Sequence, residues 1–264
     1  MPEMSTPFSV VLSYAELAYL LALFGVEPTI GVDRNPFDGL SADVIAVAHT
    51  TARDALRARD LIRMDKEDLP LANDDLLRML GSYANPRVIV SAYRYVTDEE
   101  LPLAWFGYLH EDSTVIHTRP GDLLHALTAT PDVQSLARAL IEFCSGGVLS
   151  TPAGVQLTLP ARSIAEARAG ADAGDVDQAI QVLLTAGLDS DTAAALAADL
   201  SSPAAVTAIT VAATRGDADL RRLDAIYWQS SRPTDRLIVY TERNEVQISD
   251  GNDSELLVIL NEMM

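Results

Sequence analysis

Three histidines and two carboxylates crowd one short stretch of this chain, where His110, His117 and His125 stand near Glu111 and Asp112. Imidazole and carboxylate together suit zinc or iron. The spacing does not: intervals of seven and eight residues match no ligand pattern, and the three histidines are expected on a turn, a strand and a helix. Packed or solvated imidazoles are the expected outcome, for His49 on a further helix as well. Cys144 precedes Ser145-Gly146-Gly147 at a helix end, a place where a thiol can serve as nucleophile. A lone cysteine more often packs as a small apolar side chain, and that reading is taken here. The same tripeptide lacks the glycine flanks and strand-to-helix setting that strain and expose a catalytic serine.

Other chemistries find less support. Neither the dinucleotide-binding glycine pattern nor the phosphate-cradling loop with its lysine occurs, which argues against NAD and ATP enzymes. The acidic stretches Asp65-Lys66-Glu67-Asp68 and Asp98-Glu99-Glu100 lack the alternating oxygen ligands and central glycine of a calcium loop. Ser249 to Glu255 comes nearer in composition but reads as a turn that caps the last helix. No catalytic, cofactor-binding or metal-ligating set is assigned, no cofactor is expected, and an interaction protein outranks an enzyme. The alternative is an enzyme or small-ligand binder with a cleft between two halves, where Tyr93, Tyr95, His117 and Tyr240 would converge.

Composition narrows the partners. With 38 acidic against 19 basic residues, the formal charge of −19 opposes phosphate backbones and anionic lipid, so nucleic acid and membrane insertion are not expected. A hydrophobic content of 48% over 264 residues supplies a sizeable core. One cysteine rules out an internal disulfide and fits a reducing cytosol. The apolar stretch Phe8 to Val26 resembles a signal peptide, but no basic residue precedes it and Glu16 interrupts it. Leu12, Leu17, Leu20, Leu21 and Phe24 instead keep helical spacing. A core helix is expected from Tyr14, capped by Ser13 with Glu16 as its partner and stopped at Gly25 and Pro28. A cytoplasmic monomer or weak dimer is the expected state.

Pro28 to Leu40 reads as loop. Helices are predicted from Ser41 to Arg63 and from Asp74 to Tyr83, then a meander of strands at Arg87–Tyr95, Leu103–Leu109 and Ser113–Thr118. A helix follows from Asp122 to Phe143, either continuous or broken at Pro131. Ser145 to Arg162 is the joint, with Val155 to Leu159 alternating as a strand does. Helices at Val176–Ala186 and Ser190–Leu200 come next, then strands at Ala205–Ala213, Ala225–Gln229, Arg236–Thr241 and Glu245–Ser249, and a last helix from Asp253. Helices, a meander and a helix thus occur twice.

A local echo supports that division. Trp105 precedes Thr114-Val115-Ile116-His117-Thr118, and Trp228 precedes Leu237-Ile238-Val239-Tyr240-Thr241, each thirteen residues before the closing threonine. Leucine pairs follow at Leu123-Leu124 and Leu256-Leu257. Trp105 is expected in the core, whereas Trp228, followed by polar Gln229-Ser230-Ser231, is either a core residue or a partner-facing anchor. The predicted fold is α+β: a pseudo-two-fold body of two similar halves, residues 1–144 and 163–264, with an antiparallel sheet flanked by helical bundles and residues 145–162 between them.

Three segments, Leu12-Ser13-Tyr14-Ala15-Glu16-Leu17, the run from Ala55 to Ile62, and Leu76-Leu77-Arg78-Met79-Leu80 leading to Pro86 and Val88-Ile89-Val90, resemble in order and character the EspG family. These are the cytosolic specificity chaperones of mycobacterial and actinobacterial type VII secretion. The resemblance implies two pseudo-symmetric α+β halves and a non-enzymatic chaperone. Its partner would be a helical secreted protein or heterodimer, whose hydrophobic tip it keeps soluble for export. A client patch is expected near Thr97 to Pro102 or Ser230 to Asp235 and on helices of the second half; no individual contact residue is assigned.

Overall fold

The computed structural model describes residues 7–26, 31, 37–66, 70–97, 99–111, 113–121, 123–148, 154–201, 203–215, 219–230 and 235–263. The chain begins β1 (Ser9–Ser13), α1 (Tyr14–Leu23), α2 (Ala42–Ala58), β2 (Ile62–Met64), β3 (Pro70–Ala72) and α3 (Asp74–Ala84). Next come β4 (Val88–Val96), β5 (Leu103–His110), β6 (Ser113–Gly121), β7 (Leu124–Thr130) and α4 (Val133–Ser145). The remainder is β8 (Gln156–Pro160), α5 (Ala161–Asp172), α6 (Val176–Thr185), α7 (Ser190–Ser201), β9 (Pro203–Arg215), β10 (Asp219–Ser230), β11 (Arg236–Tyr240), β12 (Glu245–Asp250) and α8 (Asp253–Met263). This is an α+β fold with ten strands hydrogen-bonded in the order β1-β7-β6-β5-β4-β9-β10-β11-β12-β8, and every pairing with a described register in it is antiparallel. Apart from the small β2–β3 hairpin, the order strand, three helices, four strands, helix occurs twice. In each run the leading strand returns to pair with the last of the four, β1 with β7 and β8 with β12.

The chain divides into two compact units, unit 1 (Met1–Ser91 and Ala104–Leu136) and unit 2 (Ala92–Leu103 and Ala137–Met264). In unit 1, α1 starts where the sequence places it. The Glu16 amide donates to Ser13 Oγ at 3.2 Å and the Ser13 amide to Glu16 Oε2 at 2.7 Å, the reciprocal cap that satisfies two orphan donors. Glu16 also accepts from Arg59 Nη1 at 3.0 Å, and Arg59 Nη2 donates to the Val11 carbonyl at 2.6 Å. A charged side chain thereby occupies the outer edge of β1, one way a sheet is protected from pairing with another chain.

Two predicted helices are corrected here. The second ends at Ala58 rather than Arg63, because Asp60 adopts φ of 55° and turns the backbone into the strand β2. Asp122 to Phe143 is not one helix: β7 occupies its first part, and α4 begins after Pro131, where Asp132 Oδ1 accepts from the Ser135 amide at 2.7 Å. Buried His125 and Leu127 alternate with the more open Leu124 and Ala126, a period of two that the leucine spacing disguised. β7 pairs on both sides, with β6 and β1.

Unit 2 packs one face of its strands against α5, α6 and α7. Trp228, Ile238, Val246 and Ile248 join Ile164, Leu183, Leu196 and Leu200 in a single buried cluster. Alanines carry much of that contact and bring the helices close together. At Gly170 an added Cβ would stand 3.3 Å from both Ala179 N and Asp175 O, so the α5–α6 approach has no room for a larger residue. Leu237 and Val239, one residue out of step with Ile238, face the opposite side of the sheet, where Val239 and α8 residues border the same groove.

The tryptophan echo does not survive as a register. Trp105 lies opposite Thr118, whereas Trp228, near the end of β10, lies opposite Arg236. Leu124 opens a strand, but Leu256 and Leu257 belong to a helix. The repetition resides in the order of elements and not in those residues.

Candidate partner-binding surface

The link between β4 and β5 carries the most exposed large apolar side chain among the described residues of unit 2. Leu101 is 75% exposed, and Tyr95 and Leu103 flank it in the open. Glu99 and Glu100 beside them are exposed too, and Asp98 lies outside the described residues. The base of this link is fixed. The Thr97 hydroxyl stands 3.2 Å from the carbonyl oxygens of both Pro203 and Ala204, and the Glu99 amide donates to the Val96 carbonyl at 3.1 Å. Two strands and a side-chain tether therefore hold an apolar tip in water, an arrangement that suits recognition of another protein.

At the second expected patch, residues 231–234 lie outside the described residues, but both of its ends are buried and tied down. The Ser230 hydroxyl donates to Asp199 Oδ1 at 3.4 Å, and the Tyr227 hydroxyl donates to Asp235 Oδ2 at 2.7 Å. Arg236 follows at once, placing Nη1 2.9 Å from Asp250 Oδ1 and Nη2 3.3 Å from Asp199 Oδ2. Asp250 Oδ2 also accepts from the Gly154 amide at 2.7 Å. One buried guanidinium thus ties together the end of α7, the start of β11, the end of β12 and the approach to β8. Burial, then the Asp235 carboxylate, push the Tyr227 phenol up, and burial raises the Asp235 carboxyl. Sequence reading missed this centre because its members are far apart along the chain; the only local signal was an arginine opening an apolar strand.

Trp228 is a core residue, the first of its two expected readings, and not a partner-facing anchor. Its indole N–H donates to the Asp199 carbonyl at 2.8 Å, and the Arg168 guanidinium lies 4.5 Å from its ring centroid. Trp105 is buried as expected. On α5, α6 and α7 the described outward positions are alanines and polar groups, with no large exposed apolar side chain among them.

The histidines are structural. His117 Nε2 and His125 Nδ1 share a hydrogen bond of 2.8 Å, and Tyr108 reaches His117 Nδ1 at 3.3 Å. His125 is on a strand, not the expected helix, which is what brings it beside His117. Burial, then His125 and Arg119, lower the His117 pKa to about 3, so its ring is neutral. His110 Nδ1 sits 2.5 Å from the Asn85 carbonyl, and His49 packs edge-on against Tyr19 and Phe37. Among the described residues no group of three His, Cys, Asp or Glu side chains is placed to hold a metal ion. Burial pushes the Cys144 thiol up to about 12, the state of an inert packing residue. Of the four groups named for a ligand cleft, His117 is sealed in the core of unit 1. Tyr93 is half-buried on β4, Tyr95 is exposed at the tip, and Tyr240 borders a groove within unit 2.

That groove encloses about 1050 Å³ between α8 and the sheet face of β8, β12, β11 and β10. No described helix is long and apolar enough to cross a membrane.

No protein-family model matches this chain, and no curated protein does. Among solved structures, the Mycobacterium tuberculosis type VII secretion system chaperone EspG5, in complex with a PE25–PPE41 dimer, superposes with a TM-score of 0.68 at 16% identity. The alignment covers 95% of this chain and 94% of that one. A putative thioesterase II from Thermobifida fusca YX aligns at 13% identity over 67% of this chain and 85% of that one, with a TM-score of 0.18, too low for a common fold. From end to end, this chain has the fold of the EspG5 chaperone.

Proposed function

We propose that this protein is a non-enzymatic cytoplasmic chaperone or adaptor that holds a helical secretion substrate soluble for type VII export. The observation that carries the reading is the full-length likeness to a chaperone solved with a PE25–PPE41 dimer, with a TM-score of 0.68 over 95% of the chain. The exposed tip of Tyr95, Leu101 and Leu103 supports it, since a fixed apolar loop on a body of net charge −19 can cover an apolar client without driving self-association. The recurrence of one element order further supports a body made of two copies of a single α+β unit, one from each half of the chain.

The test is co-expression of the tagged chain with helical secreted heterodimers from the same genome, followed by affinity capture and mass determination. A stoichiometric complex that Leu101→Asp with Leu103→Asp abolishes is the expected result. A chain that captures none of them, or captures them equally with both substitutions, overturns the reading.

A further inference from the structure

The groove beside α8 is lined by more carboxylates than arginines among the described residues. Glu255, Val258, Ile259 and Glu262 form one stripe of α8 and line the groove from the helix side. Neither Glu255 nor Glu262 has an ion pair among the described residues, and Glu242 adds a third carboxylate at the groove's edge. Two arginines border it without a described ion pair to its glutamates. Arg221 Nη1 donates to the Glu262 carbonyl at 3.0 Å and so caps the C-terminus of α8, while the Arg222 guanidinium holds Asp224 at 3.0 Å. Three carboxylates together with Asp224, set against two arginines, leave the region net negative. Glu262 also stands in the last turn of a helix with no basic side chain there, the end where the helix dipole disfavours an anion.

The floor is of a different kind. Gln156 and Thr158 of β8 stand opposite Ser249 and Gln247 of β12, a ladder of uncharged amides and hydroxyls that can bond to a peptide main chain. Tyr240, 39% exposed, and Val258, 54% exposed, are the open apolar side chains of the groove.

We infer that this groove docks an extended basic segment of a partner protein, bearing two cations four residues apart with an apolar residue midway between them. Glu255 and Glu262 are seven positions apart on a helix, about 10 Å along its axis; in an extended chain residues four apart share one face and stand about 13 Å apart, a span that flexible cationic side chains close. A lysine or arginine at each end meets one carboxylate, the intervening apolar residue contacts Tyr240 and Val258, and the main chain lies over the Gln and Thr ladder. The inference does not rest on the chaperone reading, because none of the tip residues Tyr95, Leu101 and Leu103 borders the groove.

The test uses the intact chain and a fluorescent ten-residue peptide with two lysines four residues apart flanking a leucine, followed by anisotropy. Saturable binding that weakens with salt is expected, and Glu255→Gln with Glu262→Gln lowers affinity roughly tenfold, as loss of two solvent-edge ion pairs does. Glu142→Gln with Asp177→Asn removes the same charge from exposed sites outside the groove, and is expected to leave affinity unchanged. Adjacent lysines are expected to bind more weakly. Absence of saturable binding at low salt, equal loss in the two double variants, or indifference to lysine spacing would each overturn the inference. Leu101→Asp with Leu103→Asp leaves peptide binding intact, so failure of the chaperone reading is seen separately, in client capture.

Discussion

Unit 1 buries two imidazoles, His117 and His125, joined at 2.8 Å; unit 2 buries a guanidinium and two carboxylates, Arg236 with Asp199 and Asp250. The first centre holds a neutral His117 in a row of hydrogen-bonded side chains that runs from His125 to Tyr108. The second is ionised and closes on itself. A neutral pair sits inside a sheet without the solvation cost of a charge, but it fails when a proton arrives. A buried ion network tolerates ordinary changes of pH yet cannot lose a member, because the remaining charge is left without water or partner. One chain therefore contains two centres with opposite weaknesses.

The largest effect expected from this contrast is Arg236→Met. Removing the guanidinium strands two buried carboxylates and costs roughly 3–5 kcal/mol in urea unfolding. Replacing Arg236, Asp199 and Asp250 together by apolar side chains recovers much of that loss. A single substitution that costs no more than a surface change removes the argument that this centre pins unit 2.

Acid sharpens the contrast from the other side. His117 ordinarily titrates at 6.5, and burial, then His125 and Arg119, hold it at about 3 in the fold. Between those values the unfolded chain binds a proton that the folded chain refuses, so stability falls as pH drops below 6.5, by up to about 1.4 kcal/mol per pH unit. His117→Gln flattens that slope. Asp235 acts in the reverse sense: its carboxyl is raised above 3.8 by burial, so its contribution is lost as pH rises through the raised value and regained as pH falls. Unfolding measured from pH 7.5 downward in the wild type, His117→Gln and Asp235→Asn separates the two. Identical slopes in all three would refute the assignment.

A smaller effect is set at the start of unit 1, where Ser13→Ala removes one half of the cap on α1 and costs about 1 kcal/mol. The loss also loosens Glu16, which accepts from Arg59 at 3.0 Å. Glu16→Gln should therefore match or exceed Ser13→Ala in thermal melting, and an exposed-helix control such as Asp54→Asn should not.

What the sequence disclosed follows from the range of the interactions involved. Ser13 and Glu16 are three residues apart and announce a helix start; Asp253 after a Gly-containing turn announces another, and both are found. Alternation over Val155 to Leu159 announced β8, and the strand expected at Glu245 to Ser249 is β12, each within one residue of its expected bounds. The error over Leu124 to Thr130 arose because leucines three and four apart satisfy a helix, while the decision belongs to β1 and β6, which supply hydrogen bonds on both sides. Asp199, Arg236 and Asp250 were invisible as a group because no rule of spacing links a helix end to two strand ends. The proposed groove was equally hidden: Glu255 and Glu262 look like the solvated face of a helix until the strands beside them are in place.

The smallest expected change in stability comes from the tip of the β4–β5 link, and it is the most informative about function. Leu101 and Leu103 already face water, so aspartate there changes unfolding by no more than about 0.5 kcal/mol. Thr97, which ties the base of the link to the Pro203 and Ala204 carbonyls, is different: Thr97→Val leaves the apolar tip in place but removes its tether. If recognition depends on a pre-set tip, Thr97→Val weakens client capture mainly through a faster off-rate, whereas Leu101→Asp removes capture with stability unchanged. Surface plasmon resonance with any captured client separates these outcomes. Equal off-rates for Thr97→Val and the wild type would mean that apolar exposure alone suffices, and that the fixed base of the link has no part in binding.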